Sequence, residues 1–250
     1  MGCCCSAKVQ DVGPLADVEC LQRTPAEVKA VSDVLTRAFA GTASAEPELG
    51  FDWCLGPDLQ GKAWDDPKRH DSMGWIFKFM TESVFASGSK GAVLVCRTAD
   101  GAIGGVALLR IYRSKPSDGV CTMLTAGTRA GSESPAANKY RCGPRMAGFE
   151  AVLKKLHTAH GSGPHLFVYA VGIEPSLQGQ GLGGKLMRAA AEVADREGLV
   201  CYLECCGERC PKIYEKYGFA EAGQEELTTK SGEAFEHKYV AMVRPAKPKA

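Results

Sequence analysis

Gln178-Gly179-Gln180-Gly181-Leu182-Gly183-Gly184 follows the apolar run Leu166-Phe167-Val168-Tyr169-Ala170-Val171-Gly172-Ile173. It leads into Lys185-Leu186-Met187-Arg188-Ala189-Ala190-Ala191-Glu192, which has a helical pattern. A strand that feeds a glycine-rich turn at a helix start predicts an anion site. Successive backbone N–H groups with no side chain over them converge on one point, and the positive end of the helix dipole adds attraction for phosphate.

Two phosphate-bearing ligands compete for this turn. Gly179, Gly181 and Gly184 satisfy G-x-G-x-x-G, and Glu204 stands about where a ribose-binding acid belongs in a dinucleotide fold. In such a unit, however, the glycines follow the strand almost directly. Here Glu174-Pro175-Ser176-Leu177-Gln178 intervenes, and Pro175 ends strand pairing. Too little chain remains after Gly184 to complete a parallel six-stranded sheet.

The other reading takes Ile173-x-Pro175 and then Gln178-x-x-Gly181-x-Gly183 as one pyrophosphate loop, followed by the strand pattern Val200-Cys201-Tyr202-Leu203-Glu204-Cys205 and by Ile213-Tyr214-Glu215-Lys216-Tyr217-Gly218-Phe219. With these three in order, the chain resembles the GNAT superfamily of acyl-CoA-dependent N-acetyltransferases. Within it the sequence is most similar to the puromycin N-acetyltransferase type. The shared stretches are Gly143-Pro144-Arg145-Met146, Val171-Gly172-Ile173-x-Pro175-x-x-Gln178-Gly179-x-Gly181-Leu182-Gly183, Leu203-Glu204 and Tyr214-x-x-x-Gly218-Phe219. The likeness runs from about Thr24 to Val243 and is specific from Gly143 to Phe219. It implies an α/β (α+β) GNAT fold, whose central mixed, mostly antiparallel sheet is flanked by helices and splayed at the acyl-CoA site. One departure stands out. The family usually has an asparagine four residues before the tyrosine, where its amide holds the pantetheine arm, and this chain has Cys210.

Composition narrows the alternatives. A chain of 250 residues with 45% hydrophobic content suits one domain with a full core. The expected divisions are a leader over 1–15, the domain over 16–245 and a tail over 246–250. Net charge is +1, and no basic run interleaves with aromatics as a nucleic-acid groove requires. The twelve cysteines form no regular framework, which predicts a reducing compartment. Cys205, Cys206 and Cys210 lack the partners of a four-ligand metal site, so no metal is expected. No run approaches the about 18 apolar residues of a membrane span. Met1-Gly2-Cys3-Cys4-Cys5-Ser6 nevertheless fits M-G-x-x-x-[ST], predicting myristoylation of Gly2 and palmitoylation of Cys3, Cys4 or Cys5. Since one acyl chain anchors only marginally, a cytoplasmic protein held to the membrane face would need both. A disordered leader with chance cysteines is the alternative.

Along the chain, Thr24-Pro25-Ala26-Glu27 is a capping box ahead of a helix with Val28, Val31, Val34, Leu35, Ala38 and Phe39 on one face. Residues 41–70 read as a long irregular stretch in which Phe51, Trp53 and Trp64 are either substrate contacts, as the resemblance implies, or core packing. A helix is expected from Trp75 to Phe85. A hairpin turning at Asp100-Gly101 follows, then a variable loop over 114–135, a helix from Met146 to His160 and a closing strand from Ala234 to Val243.

The resemblance also implies a chemistry, acetyl transfer from acetyl-CoA to an amine, and gives each requirement a candidate. Amides of Gly179, Gln180, Gly181, Leu182 and Gly183, with the Gln178 side chain, would anchor the diphosphate. A strand bulge near Val171, Gly172 and Ile173, with Gly172 as its bulge residue, would leave an N–H free for the oxyanion. Tyr214 would donate to the leaving thiolate, since a phenol stays protonated at neutral pH. Tyr217 is its rival, and helix packing the plain alternative. Glu204 would accept the ammonium proton, a structural salt bridge being its alternative. Glu174, His157 and His165 are lesser candidates, with His157 and His160 read as helix-end charges. The acceptor expected is a small-molecule amine. A protein N-terminus or lysine is the nearest enzymatic alternative, and a non-catalytic acyl-CoA sensor at a membrane is the alternative of another class.

Overall fold

Thr24 Oγ1 accepts the Glu27 amide at 3.1 Å and Pro25 sets the first turn, so helix α1 (Pro25–Ala40) starts where the capping box lies. It buries Val28, Val31, Val34 and Leu35, the apolar face expected of it. The computed structural model describes residues 10–43, 45–114, 119–131 and 142–247. Gly2, Cys3, Cys4 and Cys5, the proposed acylation sites, lie outside the described residues.

The sheet is assembled from β1 (Glu19–Cys20), β2 (Gly91–Arg97), β3 (Ile103–Tyr112), β4 (His165–Ile173), β5 (Val200–Cys206), β6 (Ala220–Thr228) and β7 (Ala234–Arg244). Its order is β1-β2-β3-β4-β5-β7-β6, and only β4 and β5 run parallel. This is the GNAT fold, mixed and mostly antiparallel. The other helices are α2 (Leu49–Cys54), α3 (Pro67–Ala86), α4 (Val120–Ala130), α5 (Gly143–His160), α6 (Leu182–Glu197) and α7 (Arg209–Glu215).

Two glycines of the central strands show how helices cover both faces. A Cβ at Gly172 would lie 2.9 Å from Leu35 and 3.1 Å from Ala38, both on α1. A Cβ at Gly105, which pairs with Ile173, would lie 3.2 Å from Leu186 on α6. Successive strand residues point to opposite faces, so α1 and α6 sandwich the sheet.

The splay has a local cause. β4 and β5 pair only over His165–Phe167 with Val200–Tyr202, and then diverge. Between β3 and β4 the register slips at Leu108/Leu109, which face Ala170 and Val168 and leave Tyr169 as the extra residue. The bulge therefore sits at Tyr169. Gly172, expected to form it, instead pairs with Val106, and its missing side chain admits α1.

Three elements escape the sequence patterns. β6 is an edge strand whose only buried side chain is Leu227, so its charged residues hide the alternation. α2 lies within the stretch read as irregular, and α4 within the variable loop. α4 buries only Ala126 and Ala130 and exposes Val120 and Leu124, a weak helical signature. α3 also begins earlier than its apolar run, at Pro67, because the Asp66 side chain caps Lys68 and Arg69.

Candidate active site

The turn before α6 has the backbone of an anion cradle. Gly179 and Gly181 adopt φ of +78° and +85°, the left-handed region that costs other L-residues about 1–2 kcal/mol. Gly181 is the N-cap of α6 and no side chain caps the first turn, so its amides face outward. The space over both glycines is open. Gln178 is extended at the end of a short 3₁₀ turn (Pro175–Leu177), and Gln180 turns back to donate to the Ser176 carbonyl at 3.4 Å. Residues 178–183 thus fit a diphosphate. A Cβ built on Gly184 would lie 3.1 Å from Tyr217 Oη and 3.1 Å from Arg188 Nη1, which puts a hydroxyl and a guanidinium beside the same helix start. Arg188 was absent from the sequence candidates. Its spacing four residues after Gly184 on a helix was the available signal.

Helix α7 and the turn past its end at Glu215 join the glycine turn to a cavity. Tyr217, three residues beyond Tyr214, lies against the start of α6, whereas Tyr214 and Cys210 line a cavity of about 400 Å³ in the cleft where β4 and β5 part. The two rival tyrosines are therefore separated by direction. Burial pushes the Tyr214 phenol well above its ordinary value, so it remains a proton donor at any physiological pH. Val171 lines the cavity, while Gly172 and Ile173 face α1 and α6. Past Phe167 the edge of β4 toward β5 has no paired strand, and residues 168–171 line the cleft there.

Three carboxylates line the cavity. Glu204 extends from β5, and its Oε1 accepts the Tyr202 hydroxyl at 2.7 Å. Burial raises its pKa to about 8, with the Tyr202 bond opposing the shift. Glu48 caps α2: its Oε2 accepts the Phe51 amide at 2.7 Å and its Oε1 the Cys206 thiol at 2.7 Å. Burial raises its pKa too. Both side chains retain some exposure, because the cavity itself opens to solvent, although protein surrounds them. Glu150 is exposed on α5. Sequence reasoning missed Glu48, since nothing in a stretch that reads as loop marks a residue that tertiary packing carries to the site.

That stretch is held firmly. Arg69, buried in α3, pairs with Asp52 of α2 and donates to the Ala40 carbonyl at 2.9 Å. Arg145 of α5 donates to the Trp53 carbonyl at 2.8 Å and to Gln60 at 2.6 Å, with its guanidinium 4.8 Å from the centre of the Trp53 ring. Of the three aromatics singled out, Phe51 lines the cavity, Trp53 is buried packing, and Trp64 is surface-exposed and outside the cavity lining.

The lesser candidates are engaged elsewhere. Glu174 pairs with Arg37 at 2.7 Å. His157 and His165 share a 2.8 Å contact between their Nε2 atoms, and His157 stacks on Tyr202 at 4.8 Å. Burial lowers the pKa of His165. His157 thus packs beneath the sheet in an aromatic cluster rather than serving only as a helix-end charge.

Comparison with known proteins agrees with this fold. Residues 142–221 match the family model of the acetyltransferase (GNAT) domain. A mycothiol acetyltransferase of Catenulispora acidiphila is 35% identical over 80 residues, which are 31% of this chain and 26% of that protein. The match thus spans about a quarter of that curated relative. Among solved structures, a Corynebacterium glutamicum protein termed histone acetyltransferase HPA2 and related acetyltransferase superposes with TM-score 0.56 at 21% identity, over 94% of this chain and 99% of that one. The C-terminal condensation domain of Ebony superposes with TM-score 0.61 at 12% identity, over 92% and 99%. At such identities the structural likeness shows the fold alone.

Proposed function

We propose that this chain, whose residues 142–221 carry a GNAT acetyltransferase domain, transfers an acetyl group from acetyl-CoA to the primary amine of a small molecule. The observation that carries the reading is the placement of α7 and the turn just past its end. Tyr217 abuts the uncapped turn of α6, and Tyr214 faces a cavity that holds carboxylates.

Acetyl-CoA, when bound, supplies the thioester: a C–N bond forms, the C–S bond breaks, and the products are an amide, a free thiol and one proton. The amides of residues 179–183 and the Gln178 side chain hold the diphosphate, and Arg188 adds positive charge at the same helix start. Cys210 lines the wall where the resemblance expects an asparagine, so the pantetheine arm meets a thiol there in place of an amide. An N–H on the open edge of β4 donates to the carbonyl oxygen as it gains charge. Glu204 takes the extra proton of the ammonium and passes it to solvent. Tyr214 protonates the departing sulfur and recovers a proton from the nitrogen that has become an amide. A cavity of about 400 Å³ walled by side chains supports a small acceptor over a protein tail, which favours an open groove.

Replacing Tyr214 by Phe tests the reading. The expected result is a fall in kcat of about 10²–10⁴-fold with the affinity for acetyl-CoA retained. Acetyl-CoA, and not NAD, should raise the melting temperature. A protein that binds acetyl-CoA yet releases no thiol with any amine would be a sensor instead.

A further inference from the structure

We infer that Glu48 seats the acceptor's ammonium and that the acceptor is a primary amine on an aryl or similarly bulky apolar frame. The inference deepens the acetyltransferase reading and rests on it.

The walls argue for the frame. Phe39, Phe51, Phe149 and Tyr239 line the cavity as a continuous aromatic chain, with ring centroids 5.2, 5.4 and 5.3 Å apart in succession. Trp75 and Phe79 of α3, stacked at 5.3 Å, form another stretch of wall. Such surfaces gain from covering apolar area and from a cation over a ring face, whereas a polyamine that must stay hydrated along its length gains little from them.

The charges argue for the ammonium. Among the described residues lining the cavity, Glu48, Glu150 and Glu204 are acidic, and none is Lys, Arg or His. The lining thus offers carboxyl groups and no basic side chain, which suits a cation and disfavours an anionic acceptor.

Glu48 is the carboxylate arranged to hold that cation. Its oxygens already receive the Phe51 amide and the Cys206 thiol, with the Gly50 amide also against the carboxylate, so both act as acceptors, and of about four lone-pair sites one remains for a further N–H. Beside it, Tyr239 is 4% exposed and its hydroxyl lacks a hydrogen-bond partner of regular geometry. The neighbouring Cys206 thiol is a weak donor committed to Glu48. An ammonium has three N–H donors, enough for the Glu48 carboxylate with its charge over a ring of the wall. Gly50 makes the arrangement possible, since a Cβ there would fall 1.5 Å from the Tyr239 hydroxyl. Roles then divide: Glu48 holds the amine, and Glu204 takes its proton.

The test uses the full chain with 2-phenylethylamine and spermidine as acceptors, followed by thiol release and by calorimetric binding of each amine. Wild type should give kcat/KM for 2-phenylethylamine about tenfold or more above spermidine. Glu48→Gln keeps an acceptor for the Phe51 amide, and should raise KM for 2-phenylethylamine by about 10–100-fold with a smaller change in kcat. Phe149→Ala should reduce the preference for 2-phenylethylamine over ethylamine, with the acetyl-CoA Kd held within about twofold in both variants. An unchanged KM in Glu48→Gln, a better rate with spermidine, or no calorimetric binding of 2-phenylethylamine overturns the inference and leaves the acetyltransferase reading standing. Failure of wild type to bind acetyl-CoA removes that underlying reading instead.

Discussion

Glu204 and Tyr214 work, in the proposed reaction, with proton affinities set by burial rather than by residue type. The Glu204 carboxyl, raised from 4.5 to about 8, is mostly neutral at pH 7, so kcat/KM should climb with pH and level off above about 8. Glu204→Gln should remove that limb from the pH profile; an unchanged profile would assign the base elsewhere. The same shift bears on stability. The folded-state value lies above that of the unfolded chain, so this group favours the fold most below about 4.5, and the favour is lost as pH rises through 8. Melting of Glu204→Gln should accordingly suffer less than wild type between pH 6 and pH 9. At this scale the sequence singled out Tyr214 and Glu204 through the family resemblance, and both line the cavity. Glu48 and Tyr239 were not singled out, because their roles exist only where distant segments meet.

At the scale of elements, α2 is the piece on which the acceptor side depends. It has six residues, too few to be stable alone, so it persists through tertiary ties. Chief among them is the buried pair of Asp52 and Arg69. Asp52→Ala leaves the Arg69 charge buried without its partner, which should cost about 3–5 kcal/mol in urea unfolding. The loss should also raise KM for the amine more than for acetyl-CoA, since the diphosphate turn lies at α6. A loss under 1 kcal/mol with equal effects on both substrates would contradict this picture. The pattern explains why α2 was read as irregular: a short helix built on a cap and an ion pair has no apolar periodicity to show. The α6 turn is the opposite case, where glycine positions and helix start are local and therefore visible.

The whole molecule is a sheet parted at one seam, with Tyr217 against the glycine turn of α6 and Tyr214 of α7 on the cavity. Among the described residues no helix is long and apolar enough to cross a membrane. Attachment is proposed through acylation at Gly2 and Cys3–Cys5 on the motif alone. Gly2→Ala should move the protein from the membrane fraction to the soluble one, and unchanged fractionation would end that proposal. The sequence by itself determined the glycine turn and the strand and helix around it, because each depends on neighbours a few residues away. Only the tertiary structure decided where the sheet bulges, which of two tyrosines faces the cavity, and that Glu48 joins Glu204 inside it. Those features depend on strand register and on buried charges meeting across more than a hundred residues, and no local pattern encodes such meetings.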